Sequence, residues 1–339
     1  MSHPGTVWEP LIARFLAAQG RARPTRIERL VRGQTNHVFR LVAAGGPGEV
    51  LRVRPPEKTA GSLRVEAAVL RRLRGSAPVP EVRLSDFTRE RLPGDALLLE
   101  WLEGAPFPQA WARADSGERR RLAAQLATAL EAVHAVRFAA PGAIAPSEDR
   151  LRVETSPEGW RERWCGRLER RYARLGDAPD GDAVISAARA LASRCLPALE
   201  ERPAALLHSD FHPGNWLAGG DGAVSLLDFE LAQAGPLDLE LDVLLRFAWD
   251  PAPFLRGASK AERSPATWRE LPALLREVYP APWQGEGRRA RLTIYGLDYE
   301  LSALAAARAG RWGRGAVRRV ERRLRAVLAG DYPGALLPG

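Results

Sequence analysis

Apolar positions in the first third of the chain recur mainly with a period of two. The segment RIERLVRGQTNHVFRLVAA holds two such runs on either side of Gly33, and EVLRVRPP follows the turn GGPG as a third. From Ser62 to Gly75 the period changes to that of a helix. Two further apolar runs, VRLSDF and ALLLEWLEG, come next. The pattern predicts a small antiparallel sheet of five strands with one main helix.

Beyond EGAPFP the apolar spacing becomes that of long amphipathic helices. The change falls near residue 103, so we expect an α+β protein with a sheet-rich part over residues 1–103 and a larger, mainly helical part over 104–339. The pattern predicts seven helices, over residues 116–137, 157–175, 181–201, 236–248, 265–279, 287–309 and 314–329.

Length and composition are those of a folded globular protein. The chain has 339 residues, 45% of them hydrophobic and 27% charged. No apolar stretch approaches the roughly 20 residues that cross a bilayer, and the first ten residues lack an export signal. Cys165 and Cys195 are too few for a disulfide framework or a four-cysteine zinc site. We therefore expect a cytoplasmic protein without a membrane partner.

The formal net charge of +9 raises the possibility of nucleic-acid binding. Arginine is, however, spread over nearly every predicted helix, and Lys58 and Lys260 are the only lysines. The densest basic run, RRVERRLRAV, is more typical of a solvated helix face than of a binding arm. We predict no nucleic-acid partner.

A β-rich segment inside the helical part, LLHSDFHPGNWLAGGDGAVSLLDFELA, concentrates residues suited to phosphoryl transfer. His208, Asp210 and Asn215 form the pattern H-x-D-x-x-x-x-N, and Asp228 follows a hairpin whose turn is GGDG. Phosphoryl transfer needs one carboxylate to hold the attacking hydroxyl, and a carboxylate with an amide oxygen to hold Mg²⁺ against the phosphates. Asp210 suits the first role, and Asn215 with Asp228 suits the second.

In these motifs, and over nearly its whole length, the chain resembles the aminoglycoside phosphotransferase and choline kinase-like family. LLHSDFHPGN matches the family's catalytic loop, and LLDFE its metal-binding segment. The resemblance implies a two-lobed, protein-kinase-like fold and transfer of the γ-phosphate of ATP, with Mg²⁺, to a hydroxyl of a small molecule. It assigns Asp210 as catalytic base, Asn215 and Asp228 as magnesium ligands, and His208 as a support of the loop.

The resemblance also assigns nucleotide contacts in the sheet-rich part. The hairpin from Gly33 to Phe39 would cover the nucleotide, and Glu66 would pair with a basic strand residue. Glu100 to Leu102 would form the hinge that meets adenine. The predicted nucleotide-binding residues are Gly33, Thr35, Asn36, Arg52, Glu66, Glu100, Trp101 and Leu102.

Two departures from the family pattern bear on nucleotide binding. The usual phosphate-binding lysine is replaced by Arg52, with Arg54 on the same strand face, and Lys58 lies beyond two prolines. Arginine stays charged and can hold phosphate bidentately. The loop RGQTNHVF has one glycine where protein kinases have several. These departures leave a catalytically impaired, kinase-like nucleotide-binding protein as an alternative.

The acceptor is expected against the later helices, where acidic residues cluster. Asp238, Asp242, Asp298 and Glu300 would attract an amine-bearing alcohol, although they are equally able to pair with nearby arginines such as Arg246 and Arg291. Aminoglycosides, other antibiotics, amino alcohols and sugar-like metabolites all remain candidates.

A second enzyme class that fits part of the motif is a metal hydrolase. His208, Asp210 and His212 would present zinc ligands in such an enzyme, but this assignment leaves LLDFE without a role.

Overall fold

A computed structural model describes most of the chain in atomic detail. The described residues are 5–30, 36–46, 48–58, 62–145, 151–154, 158–176, 182–200, 202–220, 222–313, 315–334 and 337. They form two compact units. One unit takes residues 1–133, 143–153 and 213–233, and the other takes 134–142, 154–212 and 234–339.

The strands of five or six residues lie in the first third of the chain, and the later strands are shorter. They are β1 (Arg26–Leu30), β2 (His37–Val42), β3 (Glu49–Arg54), β4 (Val82–Asp86), β5 (Asp95–Glu100), β6 (Ala105–Pro106), β7 (Arg137–Phe138), β8 (Gly142–Ala145), β9 (Arg152–Glu154), β10 (Ala204–Leu207), β11 (Trp216–Ala218), β12 (Val224–Leu226) and β13 (Gln233–Gly235).

Two helices precede residue 103, and helices dominate after it. The helices are α1 (Gly5–Ala18), α2 (Leu63–Leu73), α3 (Phe107–Arg113), α4 (Ser116–His134), α5 (Trp160–Leu175), α6 (Ala183–Cys195), α7 (Asp238–Trp249), α8 (Pro265–Trp268), α9 (Leu271–Val278), α10 (Arg288–Arg308), α11 (Ala316–Ala329) and α12 (Asp331–Gly334). Short 3₁₀ turns occupy Leu196–Ala198, Pro213–Asn215 and Ala281–Trp283. Among the described residues no helix is both long enough and apolar enough to cross a bilayer.

The first unit contains a five-stranded sheet in the order β1-β2-β3-β5-β4, in which every neighbouring pair is antiparallel. Alternation along β3 divides its side chains between the two faces of the sheet. Leu51 and Val53 join an apolar cluster with Ile12 and Phe15 of α1. Arg52 and Arg54 lie on the opposite face and are also buried.

Helix α2 packs against β4 and β5 of this sheet. Its N-cap is Ser62, whose side chain accepts hydrogen bonds from the backbone N–H groups of Arg64 and Val65 at 3.2 and 3.4 Å. The backbone N–H of Ser62 also donates to the carbonyl of Glu230 at 2.8 Å. The start of α2 is therefore tied to the segment that follows β12.

The second unit is mainly helical and is organised around α10. This helix packs against α5, α6, α7 and α11 and buries a row of apolar side chains that includes Leu297, Leu301 and Leu304. Strand β10 pairs antiparallel with β7, and all four of its residues are buried. The strand leads directly into His208.

The predicted elements agree with this architecture. The five predicted strands and α2 are present, and each of the seven helical predictions overlaps observed helix, with α8 and α9 dividing the segment predicted over 265–279. Helix α1 was not predicted. The division predicted at residue 103 stays a prediction, and the first unit as described continues beyond it.

Helix α1 should contribute substantially to the stability of the first unit. Phe15 is 1% exposed within the apolar cluster under the sheet, whereas Val7 on the same helix is 62% exposed. We expect Phe15→Ala to lower the free energy of unfolding of the full chain by about 3 to 5 kcal/mol. Val7→Ala is the matched control and should change it by less than about 0.5 kcal/mol. Urea unfolding measures both, and equal effects would show that α1 is not docked.

Candidate functional site

A buried ion pair links the central strand of the sheet to α2. Arg52 Nη1 donates to Glu66 Oε1 in a short contact, and Glu66 is fully buried. Glu66 also accepts a hydrogen bond from the backbone N–H of Phe229. The predicted partnership of Glu66 with a basic strand residue is thus present in the structure.

Two more carboxylates converge on the same strand face. Arg52 Nη2 lies 2.8 Å from Asp228 Oδ1 and 3.3 Å from Glu230 Oε2. Arg54 Nη1 lies 3.1 Å from Glu230 Oε2, and Asn36 Nδ2 donates to that oxygen at 2.7 Å. We call Arg52, Arg54, Glu66, Asp228 and Glu230 the strand-face cluster. It brings three carboxylates into contact with two guanidinium groups.

The electrostatics of the strand-face cluster follow from its burial. Removal from water raises the pKa of Glu66 to about 8, although the charge of Arg52 opposes the shift. Burial and the neighbouring charge of Asp228 also raise the pKa of Glu230. Burial lowers the pKa of Arg52, but the three carboxylates around it outweigh that effect and raise it overall. Arg52 therefore stays charged.

The two predicted magnesium ligands are brought together by the hairpin of β11 and β12. Trp216 pairs with Leu226 in this antiparallel hairpin, as the sequence predicts. The backbone N–H of Leu227 donates to the carbonyl of Asn215 at 2.9 Å. Asp228 comes next, in left-handed backbone with φ of 68°. This geometry sets the Asn215 and Asp228 backbones side by side.

In the second unit, the loop after β10 is held by one buried carboxylate. Glu240 of α7 is fully buried and accepts backbone hydrogen bonds from His208 at 2.6 Å and from Ser209 at 2.8 Å. Ser209 has a φ of 65°, which a non-glycine residue seldom adopts. The two hydrogen bonds offset the cost of this conformation and fix the start of the loop.

Glu240 is itself positioned by a buried histidine. His134 Nε2 lies 3.4 Å from Glu240 Oε2, and His134 Nδ1 lies 3.1 Å from the hydroxyl of Tyr279. His134 is fully buried. Two side chains from separate helical segments thus support the carboxylate that holds the loop.

Asp210 keeps an accessible carboxylate on this supported loop. Its side chain is 35% exposed, and His212 Nε2 lies 3.5 Å from its Oδ2. Its backbone N–H donates to His208 Nδ1 at 3.3 Å. The His208 ring is buried. This contact is compatible with the predicted supporting role of His208.

The remaining predicted nucleotide contacts lie in the first unit or outside the described residues. Glu100 ends β5, and its Oε2 accepts a hydrogen bond from the backbone N–H of Glu81 at 3.2 Å. Trp101 lies under the guanidinium of Arg40, 3.9 Å from the ring centroid. Leu102 follows in the same segment. Gly33 and Thr35 fall outside the residues that the structure describes.

Each carboxylate predicted to bind the acceptor is buried and paired with arginine. Asp238 Oδ2 lies 2.5 Å from Arg291 Nε, and Asp242 Oδ2 lies 2.8 Å from Arg246 Nη2. Among the other pairs, Asp298 contacts Arg167 and Arg171, and Glu300 contacts Arg323. The internal pairing anticipated with Arg246 and Arg291 is present, and contact with an acceptor stays a prediction.

The hydrolase alternative gains no support from the arrangement of metal-ligating side chains. Within the described part of the chain, no group of three or more histidine, cysteine, aspartate or glutamate residues is arranged to hold a metal ion.

Two carboxylates of the site were given no role from the sequence. Glu230 stands in LLDFE, two positions after Asp228, and that spacing was the available signal. Glu240 lies in LDLELDVLL, where an acid among leucines at helical spacing indicates a buried carboxylate with a structural partner. The spacing of residues in the sequence could not show that this partner is the backbone of a loop.

The chain matches the model of the phosphotransferase enzyme family over residues 26–274. This is well over half of its length, and the protein therefore belongs to that family. None of the curated proteins matches the chain.

Solved structures with the same fold include an aminoglycoside phosphotransferase APH(4)-Ia mutant in complex with ADP and hygromycin B. It is 18% identical, the match covers 95% of this chain and 99% of that one, and the TM-score is 0.68. The gentamicin complex of APH(2")-IIa is 13% identical with a TM-score of 0.62, covering 96% and 97% of the two chains. A candidate fructosamine-3-kinase from Thermobifida fusca is 23% identical with a TM-score of 0.57, covering 94% and 98%.

These comparisons confirm the family resemblance and the two-lobed, protein-kinase-like α+β fold. Together they support transfer of a phosphoryl group to a small molecule as the class of activity.

The strand-face cluster gives a stability prediction. Arg52→Met leaves the Glu66 carboxyl group buried without its guanidinium donor, so we expect the free energy of unfolding to fall by about 1 to 3 kcal/mol. The double variant Arg52→Met with Glu66→Met removes the unpartnered carboxyl group and should be less destabilised than Arg52→Met alone. Urea unfolding of wild type, the two single variants and the double variant tests this. Simple addition of the two single-variant costs would contradict the coupling.

The Glu240 contacts give a second prediction. In Glu240→Gln an amide N–H₂ replaces one carboxylate oxygen and cannot accept from the loop, so one hydrogen bond to His208 or Ser209 is lost. We expect a loss of about 1.5 to 3 kcal/mol in stability and faster hydrogen exchange at both amides. Glu286→Gln, at an exposed side chain of the same unit, is the matched control and should change neither. Unchanged hydrogen exchange at both amides in Glu240→Gln would show that Glu240 does not hold the loop.

Proposed function

We propose that the protein is a kinase of small molecules that transfers the γ-phosphate of ATP, with Mg²⁺, to a hydroxyl group. The observation that carries the proposal is the loop after β10. Its backbone is held by the buried carboxylate of Glu240, while the carboxylate of Asp210 remains 35% exposed. A fixed backbone with an accessible carboxylate is what orientation of a hydroxyl requires.

In the proposed reaction Asp210 accepts a hydrogen bond from the acceptor hydroxyl and orients its oxygen for in-line attack. The oxygen forms a bond to the γ-phosphorus as the bond from that phosphorus to the β–γ bridging oxygen breaks. The hydroxyl proton passes to Asp210, and ADP leaves. Because little covalent chemistry falls to the protein, positioning and charge neutralisation carry the rate.

The donor set around Asp228 fits a magnesium ion. An amide oxygen and a carboxylate oxygen are hard ligands of the kind that Mg²⁺ takes, and the Leu227 to Asn215 hydrogen bond aligns their backbones. Asn215 and Asp228 would hold the ion, with Glu230 two residues further on. When bound, it would neutralise phosphate charge.

The proposed nucleotide contacts come from the first unit. Arg52 stays charged, and its guanidinium fork suits phosphate oxygens. Asn36, already hydrogen-bonded to Glu230, would add a polar contact near the phosphates. The backbone from Glu100 to Leu102 would meet adenine, as expected from the family resemblance.

For the acceptor we propose a small molecule with a hydroxyl group and favour one that carries amines. The predicted acceptor residues Asp238, Asp242, Asp298 and Glu300 are each paired with arginine. The preference for amines therefore rests on the named ligands of two structural neighbours, hygromycin B and gentamicin. Because one structural neighbour is a candidate fructosamine-3-kinase, sugar amines are also acceptors to test.

One observation favours a second candidate function, a nucleotide-binding protein with impaired catalysis. The proposed metal ligand Asp228 is engaged at Oδ1 by Arg52, the residue that replaces the usual lysine. If the ion pair persists when nucleotide binds, metal coordination weakens and transfer slows.

Transfer of labelled γ-phosphate tests the proposal. The acceptor panel comprises aminoglycosides, macrolides, amino alcohols and sugar amines. We expect a labelled product with wild type and at least about 100-fold less with Asp210→Asn, because the variant cannot accept the hydroxyl proton. Nucleotide affinity of that variant should be unchanged.

Two comparison variants sharpen this assay. Asp228→Asn should weaken Mg²⁺-dependent ATP binding as well as transfer, whereas Asp115→Asn at an exposed helix start should alter neither. ATP binding by wild type without any phosphoryl transfer would favour the second candidate function, a nucleotide-binding protein with impaired catalysis. Full transfer by Asp210→Asn would show that Asp210 is not the base.

A further inference from the structure

The ion pair between Arg52 and Asp228 joins two residues with different proposed ligands. Arg52 is the proposed phosphate contact, and Asp228 is a proposed metal ligand. Arg52 Nη2 lies 2.8 Å from Asp228 Oδ1, and both residues belong to the first unit. The donor that suits phosphate is therefore engaged by the carboxylate that suits a metal ion.

The buried position of Arg52 fixes this contact. Its side chain is 8% exposed, and its Nη1 donates to the fully buried Glu66. The guanidinium group is planar, so a fixed Nη1 also fixes the direction of Nη2. The Asp228 side chain, by contrast, is 34% exposed and can be reached by a ligand. Asp228 Oδ1 thus stays engaged until Arg52 Nη2 gains another acceptor.

The carboxylate two residues after Asp228 is also engaged by cations. Glu230 Oε2 lies 3.3 Å from Arg52 Nη2 and 3.1 Å from Arg54 Nη1, and it accepts from Asn36 Nδ2 at 2.7 Å. Two guanidinium groups therefore lie among the carboxylates that a divalent cation would approach. Like charges at such short range disfavour binding of the cation by itself.

A phosphate group would change both effects. Its oxygens accept charge-assisted hydrogen bonds from a guanidinium group, often two in parallel. With phosphate as the acceptor, Arg52 Nη2 no longer holds Asp228 Oδ1, while Nη1 keeps its bond to Glu66. The negative charge of the phosphate also offsets the charges of Arg52 and Arg54. Phosphate thus releases the oxygen for which Arg52 and a metal ion compete.

We propose that Arg52 couples metal binding to nucleotide binding. It holds Asp228 until a nucleotide phosphate takes its Nη2, so the protein binds a divalent cation tightly only together with a nucleotide. This inference rests on the proposed function, from which it takes the ligands of Arg52 and Asp228. Because coupling is reciprocal, the metal raises nucleotide affinity by the same factor by which the nucleotide raises metal affinity.

Titration of the full chain with Mn²⁺ in the absence of nucleotide tests the hold of Arg52 on Asp228. Electron paramagnetic resonance reports the free Mn²⁺. In Arg52→Lys the single ammonium pairs with the buried Glu66 and lacks the second arm of the fork. We expect this variant to bind Mn²⁺ about tenfold more tightly than wild type. A residue that only contacts phosphate would leave this affinity unchanged.

Calorimetric titration with ADP, in EDTA and then in Mn²⁺, measures the coupling. Phosphate oxygens that ligate the metal directly contribute equally in both proteins, so the Arg52 share is the difference between them. We expect Mn²⁺ to raise ADP affinity by a factor about tenfold larger in wild type than in Arg52→Lys.

Two further variants control for charge and folding. Arg52→Gln keeps an N–H₂ donor for Glu66 and removes the positive charge, so it should also bind Mn²⁺ more tightly than wild type. Arg91→Lys is the matched control, because Arg91 Nη1 lies 3.5 Å from Asp86 Oδ2 in the same unit, outside the strand-face cluster. It should alter neither Mn²⁺ affinity nor coupling. Thermal unfolding of each variant verifies its fold.

The outcomes separate this inference from the proposed kinase function. Equal Mn²⁺ affinity or equal coupling in wild type and Arg52→Lys would overturn the inference, and phosphoryl transfer by wild type would still support the kinase. Tighter Mn²⁺ binding by Arg52→Lys with reduced coupling supports the inference even where no acceptor is phosphorylated. Absence of ADP binding to wild type would overturn both, because no phosphate would then release Asp228.

Discussion

The buried positive charge of Arg52 is the constraint around which the first unit is arranged. A guanidinium removed from water needs carboxylate partners, and those of Arg52 come from outside the sheet. The partners come from α2, as Glu66, and from the segment after β12, as Asp228 and Glu230. Meeting this single requirement fixes how α2 and the later hairpin segment lie against β3, and the Ser62 to Glu230 hydrogen bond adds a backbone link at the same place.

The second unit shows that a buried negative charge needs partners in the same way. Glu240 is a buried carboxylate whose partners are chiefly backbone N–H groups, and His134 supports it from the side. Hydrogen bonds to backbone leave the side chains of the loop available for chemistry. This separation of tasks explains why the Asp210 carboxylate can stay accessible on a loop whose start is immobile.

The strands and helices of this protein were predictable because their apolar residues recur with clear periods, as in β3 and α10. Helix α1 was missed because Pro10 and the flanking glycine and prolines indicate a break, whereas burial of Phe15 outweighs them. At the site, the sequence spacing of polar residues indicated Asp210, Asn215 and Asp228, but it did not identify the residues that contact them. The hold of Glu240 on the loop and the contact between Arg52 and Asp228 join residues 31 or more positions apart. Local pattern carries no information about such pairs.

Arginine in place of lysine changes more than the strength of a phosphate contact. The guanidinium presents donors in a fork, so Arg52 reaches Glu66 with Nη1 and Asp228 with Nη2 at once. A lysine ammonium is a single point of charge on a flexible stem and imposes no such fixed geometry. The contact with Asp228 uses Oδ1, so Arg52 competes with a metal ion at that oxygen and not at Oδ2. The residue that departs from the family pattern therefore sets the geometry in which the proposed metal ligand must work.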